Sequence, residues 1–485
     1  MKRLFFLVIL IFSFSIFLFC NSYPQEKAEG SHEETVDSFA RISMIFIGDI
    51  MGHDRQIDAA WSEETKTYDY RHCFQYVKPI FTDFDLVVGN LEVTLPGKTP
   101  YAGYPQFKSP DALAYALKDA GFNVMLTANN HSNDGYGDAL VHTIDTLRGL
   151  GFYQTGTFKN QEERDSLYPL IVEQNNFKIA FLNYTYGTNG IADEPPTIVN
   201  MINRELMQED IEKAKELEPD LIIALMHWGD EYKLIENDYQ RNNAKFLAEN
   251  GVDLIIGSHP HVLQPVKYIS AGENDSTLTV FSLGNYISNQ RRINTDGGMM
   301  FEISYRKNIF TNELHKDDFY HHLVWRYRAP VTEEHPKGRF FVVPIDRYEK
   351  GLLDSIDMSD SEEKAMRAFA ERMRNHMDKN SISLERNRER EIYDEEIIPA
   401  DTIDLDNTTS TTYHVQLLAS SQSTDEFEAF IIKIIEKEED GMFKYLSEGH
   451  LTRDKAEALL EQVRNNGYKD AFIVKYKNNK RVIEE

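Results

Sequence analysis

The sequence predicts an α/β protein built from more than one domain. Between residues 42 and about 330, short apolar runs alternate with segments whose apolar residues recur at helical spacing. This order is typical of βαβ units around a largely parallel sheet. With 485 residues, the chain is also too long for one compact domain, so two or three are expected.

The first twenty residues have the pattern of an export signal. Met1-Lys2-Arg3 precedes an apolar run over residues 4–19, which is short for a bilayer-spanning helix. Cys20 follows and resembles the cysteine of a bacterial lipobox, although Phe19 occupies a position usually taken by a small residue. A lipidated Cys20, a cleaved signal peptide and an uncleaved anchor all remain open. Each predicts export to the cell envelope, and lipidation or an uncleaved anchor would hold the N-terminus at the membrane.

The composition argues against nucleic acid as a partner. The formal net charge is -27, whereas nucleic-acid binding needs a basic surface. Only two cysteines, Cys20 and Cys73, are present, so no disulfide framework is expected. Residues 21–41 are polar and acidic and have the composition of a tether.

Five apolar runs are predicted strands that end in polar side chains. The runs cover residues 42–47, 86–88, 124–126, 221–226 and 252–256. The polar residues that follow them are Asp49, Asn90, Glu92, Asn130, His131, His227, His259 and His261. Because ligands bind outside the carboxyl ends of strands in α/β sheets, we expect these side chains to converge.

His259 and His261 are separated by one proline and are candidates for metal ligands. In an extended segment residues i and i+2 point the same way, so both imidazoles are expected on one side of the chain. A lone pair of this kind is weak evidence, and the polar residues at the other strand ends strengthen it.

The intervening segments predict helices over residues 111–120, 138–150, 205–217 and 239–250, and further strands over 178–183 and 278–283. Residues 331–411 form a predicted helical extension and acidic linker. Its helix over 359–379 is expected to pack on the preceding domain.

The last part of the chain predicts a separate small α+β domain. Strands are expected over 413–419, 443–448 and 471–476, with helices over 426–437 and 452–463. This is a βαββαβ-like order.

Six motifs in order resemble the CapA family of poly-γ-glutamate capsule synthesis proteins, which has a calcineurin-like metallophosphoesterase fold. They are GDIM (48–51), GNLE (89–92), ANNH (128–131), HWGDEY (227–232), GSHPHVLQP (257–265) and SLGNY (282–286). The resemblance implies a four-layer αββα sandwich over residues 42–330 with a two-metal site at one end of its sheets.

The resemblance also implies roles for individual residues. Two divalent ions, Mn, Fe, Zn or Co, would be held by Asp49, Glu92, Asn130, His227, His259 and His261. His131 would act as an acid or charge stabiliser, and Asn90 and Asn285 are expected substrate contacts. Arg291 follows SLGNY near the expected mouth of the site and is a further candidate contact for an anionic substrate, although solvent exposure is the favoured alternative. The sequence departs from the general metallophosphoesterase pattern at Met51, where a histidine is usual, and His53 could substitute only at a different spacing.

Residues 412–485 resemble a SPOR domain through YHVQLLAS and GHLTRDKAEALLEQVRNNGYKDAFIVKY. That family binds peptidoglycan glycan strands stripped of stem peptides, with Gln416 and Tyr445 as the expected contacts here. A protein-interaction module is the alternative.

Together these features predict an exported envelope protein that joins a metal-dependent, phosphoesterase-type hydrolase domain to a peptidoglycan-binding domain. Its expected partners are glycan strands, capsule or polymer synthesis proteins and the membrane. The competing prediction is a non-catalytic synthesis or export factor whose site only binds.

Overall fold

The computed structural model describes residues 39–272, 275–309, 311–333, 335–353, 356, 358–382 and 385–386, and in the C-terminal part 411–420, 434–439, 442–447, 460, 464, 471–477 and 480–482. Contacts along the chain divide it into two compact units, Met1–Arg388 and Glu389–Glu485.

The first unit contains strands and helices in alternation over most of its length. Its described strands are β1 Phe39–Ile50, β2 Trp61–Ser62, β3 Thr67–Tyr68, β4 Leu86–Leu91, β5 Val124–Leu126, β6 Tyr153–Thr155, β7 Thr157–Phe158, β8 Leu170–Gln174, β9 Phe177–Thr185, β10 Ile198–Val199, β11 Leu221–His227, β12 Leu254–Ser258, β13 Leu263–Ser270, β14 Ser276–Leu283, β15 Asn285–Ile287, β16 Gly297–Asn308, β17 Leu314–Ala329, β18 Arg339–Pro344 and β19 Glu385–Arg386. Its described helices are α1 Asp54–Ala60, α2 Lys78–Phe81, α3 Ala112–Ala120, α4 Tyr136–Gly149, α5 Gln161–Leu167, α6 Arg204–Glu216, α7 Asp238–Glu249, α8 Ile345–Glu349 and α9 Asp360–Asn380, with a 3-10 turn at Arg71–Phe74.

Two mixed sheets form the framework of this unit. The first has the order β18-β17-β16-β1-β4-β5-β6, and the second has the order β13-β14-β12-β11-β9-β8. In each sheet four neighbouring strands are parallel, β1-β4-β5-β6 in the first and β14-β12-β11-β9 in the second. The other strands in these two orders pair antiparallel at the flanks. The short strands β15 and β19 pair parallel with β1 and β17. The predicted mixed α/β fold is therefore confirmed, with antiparallel additions that the sequence reading did not include.

The two sheets pack face to face, because one buried apolar cluster contains side chains from both, including Phe46 and Val88 of the first and Phe181 and Ile223 of the second. A second cluster joins the outer face of the first sheet to α2 and α3. A third joins the outer face of the second sheet to α6 and α7. The layers therefore follow the order helix, sheet, sheet, helix.

The first unit continues past residue 330. Strand β18 pairs antiparallel with β17 over six residue pairs from Val324↔Pro344 to Ala329↔Arg339. Helix α9 buries Met366, Phe369 and Met373 in the cluster between the sheets. This packing agrees with the expectation that helix 359–379 lies on the preceding domain.

The second unit contains a five-stranded antiparallel sheet. Its described strands are β20 Thr411–Ser420, β21 Ile434–Glu439, β22 Met442–Ser447, β23 Phe472–Lys477 and β24 Lys480–Val482, in the order β21-β22-β20-β23-β24. The predicted helix over 426–437 is wrong at its end, where β21 forms instead. The β-branched Ile434 and Ile435 favour a strand, and Asp440-Gly441 between β21 and β22 favours a two-residue hairpin.

Candidate metal centre

The carboxyl ends of the parallel strands bring the predicted ligands together. Asp49 lies at the end of β1, Asn90 and Glu92 at the end of β4, and Asn130 and His131 follow β5. From the second sheet, His227 ends β11 and His259 and His261 follow β12. We call Asp49, Glu92, His227, His259 and His261 the histidine–carboxylate centre; all five are at most 2% exposed.

Asp49 connects the two sheets. Its Oδ1 accepts a hydrogen bond from Asn90 Nδ2 at 2.8 Å, and its Oδ2 lies 3.0 Å from His261 Nδ1. The Asp49 backbone N–H donates to the carbonyl of Gly284 at 3.0 Å. A Cβ on Gly48 would lie 2.1 Å from that same carbonyl oxygen, so this close approach requires glycine.

Glu92 is the most unusual group in the centre. The residue is fully buried, and neither carboxylate oxygen has a hydrogen-bond partner. Its Oε1 lies 3.6 Å from His227 Nε2 and 3.8 Å from His261 Nε2. Burial first, and then the charges of Asp49 and Glu231, raise the pKa of Glu92 well above its usual range. A buried carboxylate without a donor is costly, and a bound cation would relieve that cost.

The imidazoles around Glu92 are suited to bind a cation. Burial, followed by the charges of neighbouring histidines, lowers the pKa of both His227 and His259 well below the usual value, so both are neutral at pH 7. Neutral imidazole is the form that binds metal. His259 Nδ1 is buried without a partner.

The possible ligand atoms fall into two groups that share Glu92. One group is Glu92, His259 and His261, and the other is Asp49, Glu92 and His227; within each, the atoms lie within 4.8 Å of one another. Asn130 adjoins the second group, with its Oδ1 2.6 Å from His227 Nε2. The donor set therefore fits divalent cations, with Glu92 placed to contact more than one.

The backbone at His259 and His261 differs from the prediction. Strand β12 ends at Ser258, and His259 and His261 have φ angles of 99° and 59°. The rule of alternating side chains in an extended strand therefore does not apply, and that part of the prediction is wrong. The imidazoles nevertheless lie with ring centroids 5.9 Å apart. Positive φ at two non-glycine residues is a strain that is typical of functional sites.

His131 lies at the edge of the centre in a fixed orientation. Its Nδ1 is 2.6 Å from Asp134 Oδ2, which also accepts the backbone N–H of Phe107 at 2.6 Å. The Phe107 ring packs edge-on against the imidazole at 4.6 Å, and Asn189 Nδ2 lies 3.5 Å from Nδ1. Both hydrogen-bonding contacts are at Nδ1.

Aromatic and charged groups line the exposed side of the centre. The ring of Tyr186, which is 41% exposed, lies 4.5 Å from that of His259, and burial raises the pKa of Tyr186 to about 12. Glu231 Oε1 lies 4.0 Å from His261 Nε2. The guanidinium of Arg292 lies 4.2 Å over the ring of Tyr232.

The three predicted substrate contacts occupy different environments. Asn90 and Asn285 are buried, and Asn285 Oδ1 lies 3.1 Å from His261 Nδ1 while its Nδ2 donates to Gln290 and Thr295. Both asparagines thus orient ligand-type side chains in this structure. Arg291 is exposed, and its role in substrate binding stays a prediction.

Met51 and His53 do not extend the centre. Met51 is buried, and His53 Nδ1 accepts the backbone N–H of Asn289 at 3.2 Å and lies 3.1 Å from Gln56 Oε1. Burial lowers the pKa of His53 to about 4. His53 belongs to neither group of possible ligands among the described residues.

Sequence reasoning missed four residues at the site: Asp134, Asn189, Tyr186 and Glu231. The spacing of Asp134, three residues after His131, was a usable signal because a turn brings such residues together. The other three come from loops whose positions depend on long-range packing.

These features define a class of protein: a two-sheet α/β sandwich with a candidate binuclear metal centre where parallel strands of both sheets end. Residues 43–290 match the family described as bacterial capsule synthesis protein PGA_cap. The chain belongs to this family, which confirms the resemblance drawn from the six motifs.

Two curated relatives are similar over the same part of the chain. The PGA biosynthesis protein CapA of Bacillus subtilis is 29% identical over 280 residues, which cover 55% of this chain and 68% of that protein. The capsule biosynthesis protein CapA of Bacillus anthracis is 28% identical over 282 residues, covering 55% and 65%.

Solved structures overlap more weakly. A phosphatase from Mycoplasma pneumoniae has a TM-score of 0.34 at 16% identity and covers 58% of this chain and 94% of its own. The NAD nucleotidase of Haemophilus influenzae has a TM-score of 0.40 at 12% identity, covering 72% and 65%. Overlaps of this size do not bear on the activity of the chain.

Several predictions concern residues outside the described part. The export signal, Cys20 and most of the tether lie there, and so do the side chains of Gln416 and Tyr445, although both residues are placed on β20 and β22. Among the described residues, no helix is both long enough and apolar enough to span a bilayer.

Proposed function

We propose that this protein is a metal-dependent hydrolase of the phosphoesterase type that acts in the synthesis of a capsule or related envelope polymer. The observation that carries the proposal is the Glu92 carboxylate, fully buried, without a donor and facing His227 and His261. Family membership and the names of the two CapA relatives support the link to capsule synthesis.

The residues that would hold two divalent ions, Mn, Fe, Zn or Co, are Asp49, Glu92, Asn130, His227, His259 and His261. Glu92 belongs to both groups of possible ligands, so it would contribute to holding each ion. When bound, such ions stabilise negative charge on phosphoryl oxygens and align the entering and leaving groups.

His131 is the group we assign to proton transfer. The Asp134 carboxylate at Nδ1 holds the imidazole in place, which leaves Nε2 to deliver a proton to a departing oxygen. Phe107 keeps the ring in one orientation. Asp134→Asn keeps the shape of the side chain and removes its charge, so we expect kcat to fall by about 100-fold or more with little change in KM.

The first test measures metal content and activity in the full chain. Purified wild type is expected to contain divalent metal by ICP-MS and to hydrolyse a chromogenic phosphodiester. Glu92→Gln and His259→Ala are expected to lose both. His142→Ala is the control, because His142 pairs with Asp111 outside the centre and should leave both unchanged. A metal-free and inactive wild type would contradict the proposal.

A binding-only role is the second candidate, and Met51 is the observation that favours it. A buried thioether stands where the metallophosphoesterase pattern has a histidine, and His53 is engaged with Gln56 and Asn289. Stoichiometric metal without turnover of any phosphoester, together with co-purified polymer synthesis proteins, would decide for this role.

For the C-terminal part we propose that residues 412–485 bind glycan strands of peptidoglycan, with Gln416 and Tyr445 as contacts, and that an exported N-terminus places the chain at the membrane. The test is a pull-down with sacculi before and after amidase treatment. Stronger binding to treated sacculi is expected, and equal binding would favour a protein-interaction module.

A further inference from the structure

Four arginines lie close to one another near the histidine–carboxylate centre. Arg55 lies on α1, Arg291 follows β15, and Arg326 and Arg328 lie on β17; we call them the arginine cluster. Within the described part of the chain, none of the four forms an ion pair with a carboxylate. This is unusual in a chain that has 79 acidic residues and 52 basic ones.

The sheet explains how the cluster forms. Trp325 and Tyr327 point into the apolar cluster between the sheets, so Arg326 and Arg328 point to the outer face of the first sheet. Their pairing partners, Val342 and Phe340, belong to the apolar cluster on that face. Helix α1, which carries Arg55, packs beside β18. Arginines therefore occupy a face that is elsewhere apolar.

The positive charges in the cluster act on one another. Burial lowers the pKa of Arg326; Asp296 opposes this, and Arg328 and Arg291 lower the pKa further. Burial, Arg55 and Arg291 likewise lower the pKa of Arg328. Repulsion among like charges costs stability unless an anion offsets it.

Arg326 shows where an anion is needed. Its Nε is buried without a hydrogen-bond partner, although Nη2 donates to the carbonyl of Gln290 at 3.2 Å. Arg374 differs, because carboxylates pair with it. It lies 2.7 Å from both Asp346 and Glu349. A buried guanidinium nitrogen without an acceptor, as at Arg326 Nε, points instead to a ligand that supplies one.

Hydrogen bonds connect the cluster to the centre. Gln290, whose carbonyl contacts Arg326, accepts from Asn285 Nδ2 at 2.8 Å, and Asn285 Oδ1 lies 3.1 Å from His261 Nδ1. The same loop donates the Asn289 N–H to His53, which precedes Arg55 on α1. The cluster and the centre therefore share one supporting loop, residues 288–292.

We propose that Arg55, Arg291, Arg326 and Arg328 form an oxyanion-binding subsite that holds a phosphate or carboxylate group of the substrate next to the group that reacts. That the bound anion belongs to a substrate rests on the proposed function, whereas the binding of an anion does not. Guanidinium groups bind both oxyanions through paired hydrogen bonds. The substrate class is then a molecule with more than one anionic group.

The test measures anion binding without metal. The full chain is treated with EDTA, exchanged into buffer of low ionic strength and titrated with pyrophosphate and, separately, with citrate by calorimetry. Wild type is expected to bind at least one of them, and each arginine removed in Arg328→Gln and Arg55→Gln/Arg328→Gln should weaken binding by about tenfold. Arg347→Gln, a partly exposed arginine on α8, is the matched control and should bind as wild type does.

The two probes identify the source of the anion: tighter binding of pyrophosphate indicates phosphate groups, and tighter binding of citrate indicates carboxylates. Equal affinity in wild type and the double variant, or binding of neither probe at millimolar concentration, would overturn the proposal. Since metal is removed, neither result depends on whether the histidine–carboxylate centre is catalytic. An unchanged unfolding midpoint in the variants shows that the fold is kept.

Discussion

Two clusters of buried charged groups in the first unit differ in whether those groups have hydrogen-bond and ion-pair partners within the protein. In the Arg164 network, made of Arg164, Tyr184, Asn200 and Asp210, Arg164 Nη2 lies 2.7 Å from Asp210 Oδ2. Arg164 Nε donates to Asn200 at 2.7 Å, and Tyr184 donates to Asp210 at 2.8 Å. In the histidine–carboxylate centre, both oxygens of Glu92 and Nδ1 of His259 have no partner.

The difference shows which cluster is complete within the protein. Buried charges are tolerated when other groups of the chain pair with them, as in the Arg164 network. The centre holds acceptors in excess and neutral imidazoles, so the missing positive charge has to come from outside the chain.

All three tryptophans, Trp61, Trp228 and Trp325, lie in the first unit, so their fluorescence reports its unfolding.

The largest expected effect on stability is at the Arg164 network. Arg164→Met leaves the Asp210 carboxylate buried without its cation and should lower the free energy of unfolding by about 3–5 kcal/mol. Urea unfolding followed by tryptophan fluorescence measures it. A loss below about 1 kcal/mol would mean that Asp210 finds another partner or is hydrated, and the comparison would fail.

The next effect is at the centre and requires metal. Free Mn²⁺ at about 100 times its Kd should raise the free energy of unfolding of wild type by about 2.7 kcal/mol. Glu92→Gln should show little of this increase, because the shared ligand is lost. In EDTA, Glu92→Gln should be at least as stable as wild type, since the variant removes a desolvated acid. If Glu92→Gln is destabilised in EDTA as strongly as Arg164→Met, then Glu92 has a stabilising partner within the protein and the two clusters do not differ in this way.

A smaller effect concerns pH in the metal-free protein. The native pKa of Glu92 lies well above the unfolded value of 4.5, so between the two values the native state holds a proton that the unfolded state has released. The stability that Glu92 contributes is therefore present below 4.5 and is lost as pH rises through the native pKa. The stability of wild type relative to Glu92→Gln should therefore fall as the pH is raised above 4.5 in EDTA. A difference that stays constant over this range would show that Glu92 is ionised in the native state throughout.

The sequence was sufficient to predict those strands that are marked by a run of neighbouring apolar residues. Strand β5 was predicted at its observed bounds, and the apolar runs before Asp49 and His227 lie inside β1 and β11. Strand β17 was not predicted because its sequence, LHKDDFYHHLVWRYRA, mixes charges with its apolar residues, and only pairing with β16 and β18 fixes it.

Parts of the candidate site were beyond sequence reasoning for a physical reason. The predicted ligands converge as expected, because parallel strands deliver their ends to one edge. The positive φ angles of His259 and His261, however, occur together with contacts to Asp49 across the two sheets, which no local pattern encodes. The same holds for the arginine cluster, in which Arg55 and Arg291 join Arg326 and Arg328 from distant parts of the chain.

The smallest expected effect is a surface control. Arg367 Nη2 lies 2.6 Å from Glu363 Oε1 one helical turn away, and both side chains are partly exposed. Arg367→Gln should change the free energy of unfolding by no more than about 0.5 kcal/mol, because solvent screens such pairs. A loss comparable to that of Arg164→Met would show that burial does not separate the two classes of ion pair.

The most direct measurement is anomalous diffraction from crystals of the protein soaked in Mn²⁺. We expect anomalous peaks in contact with the Glu92 carboxylate and with His227, His259 and His261, and loss of these peaks in Glu92→Gln. Crystals in which Mn²⁺ binds only elsewhere, while Glu92 is hydrogen-bonded to protein groups or water, would contradict this expectation.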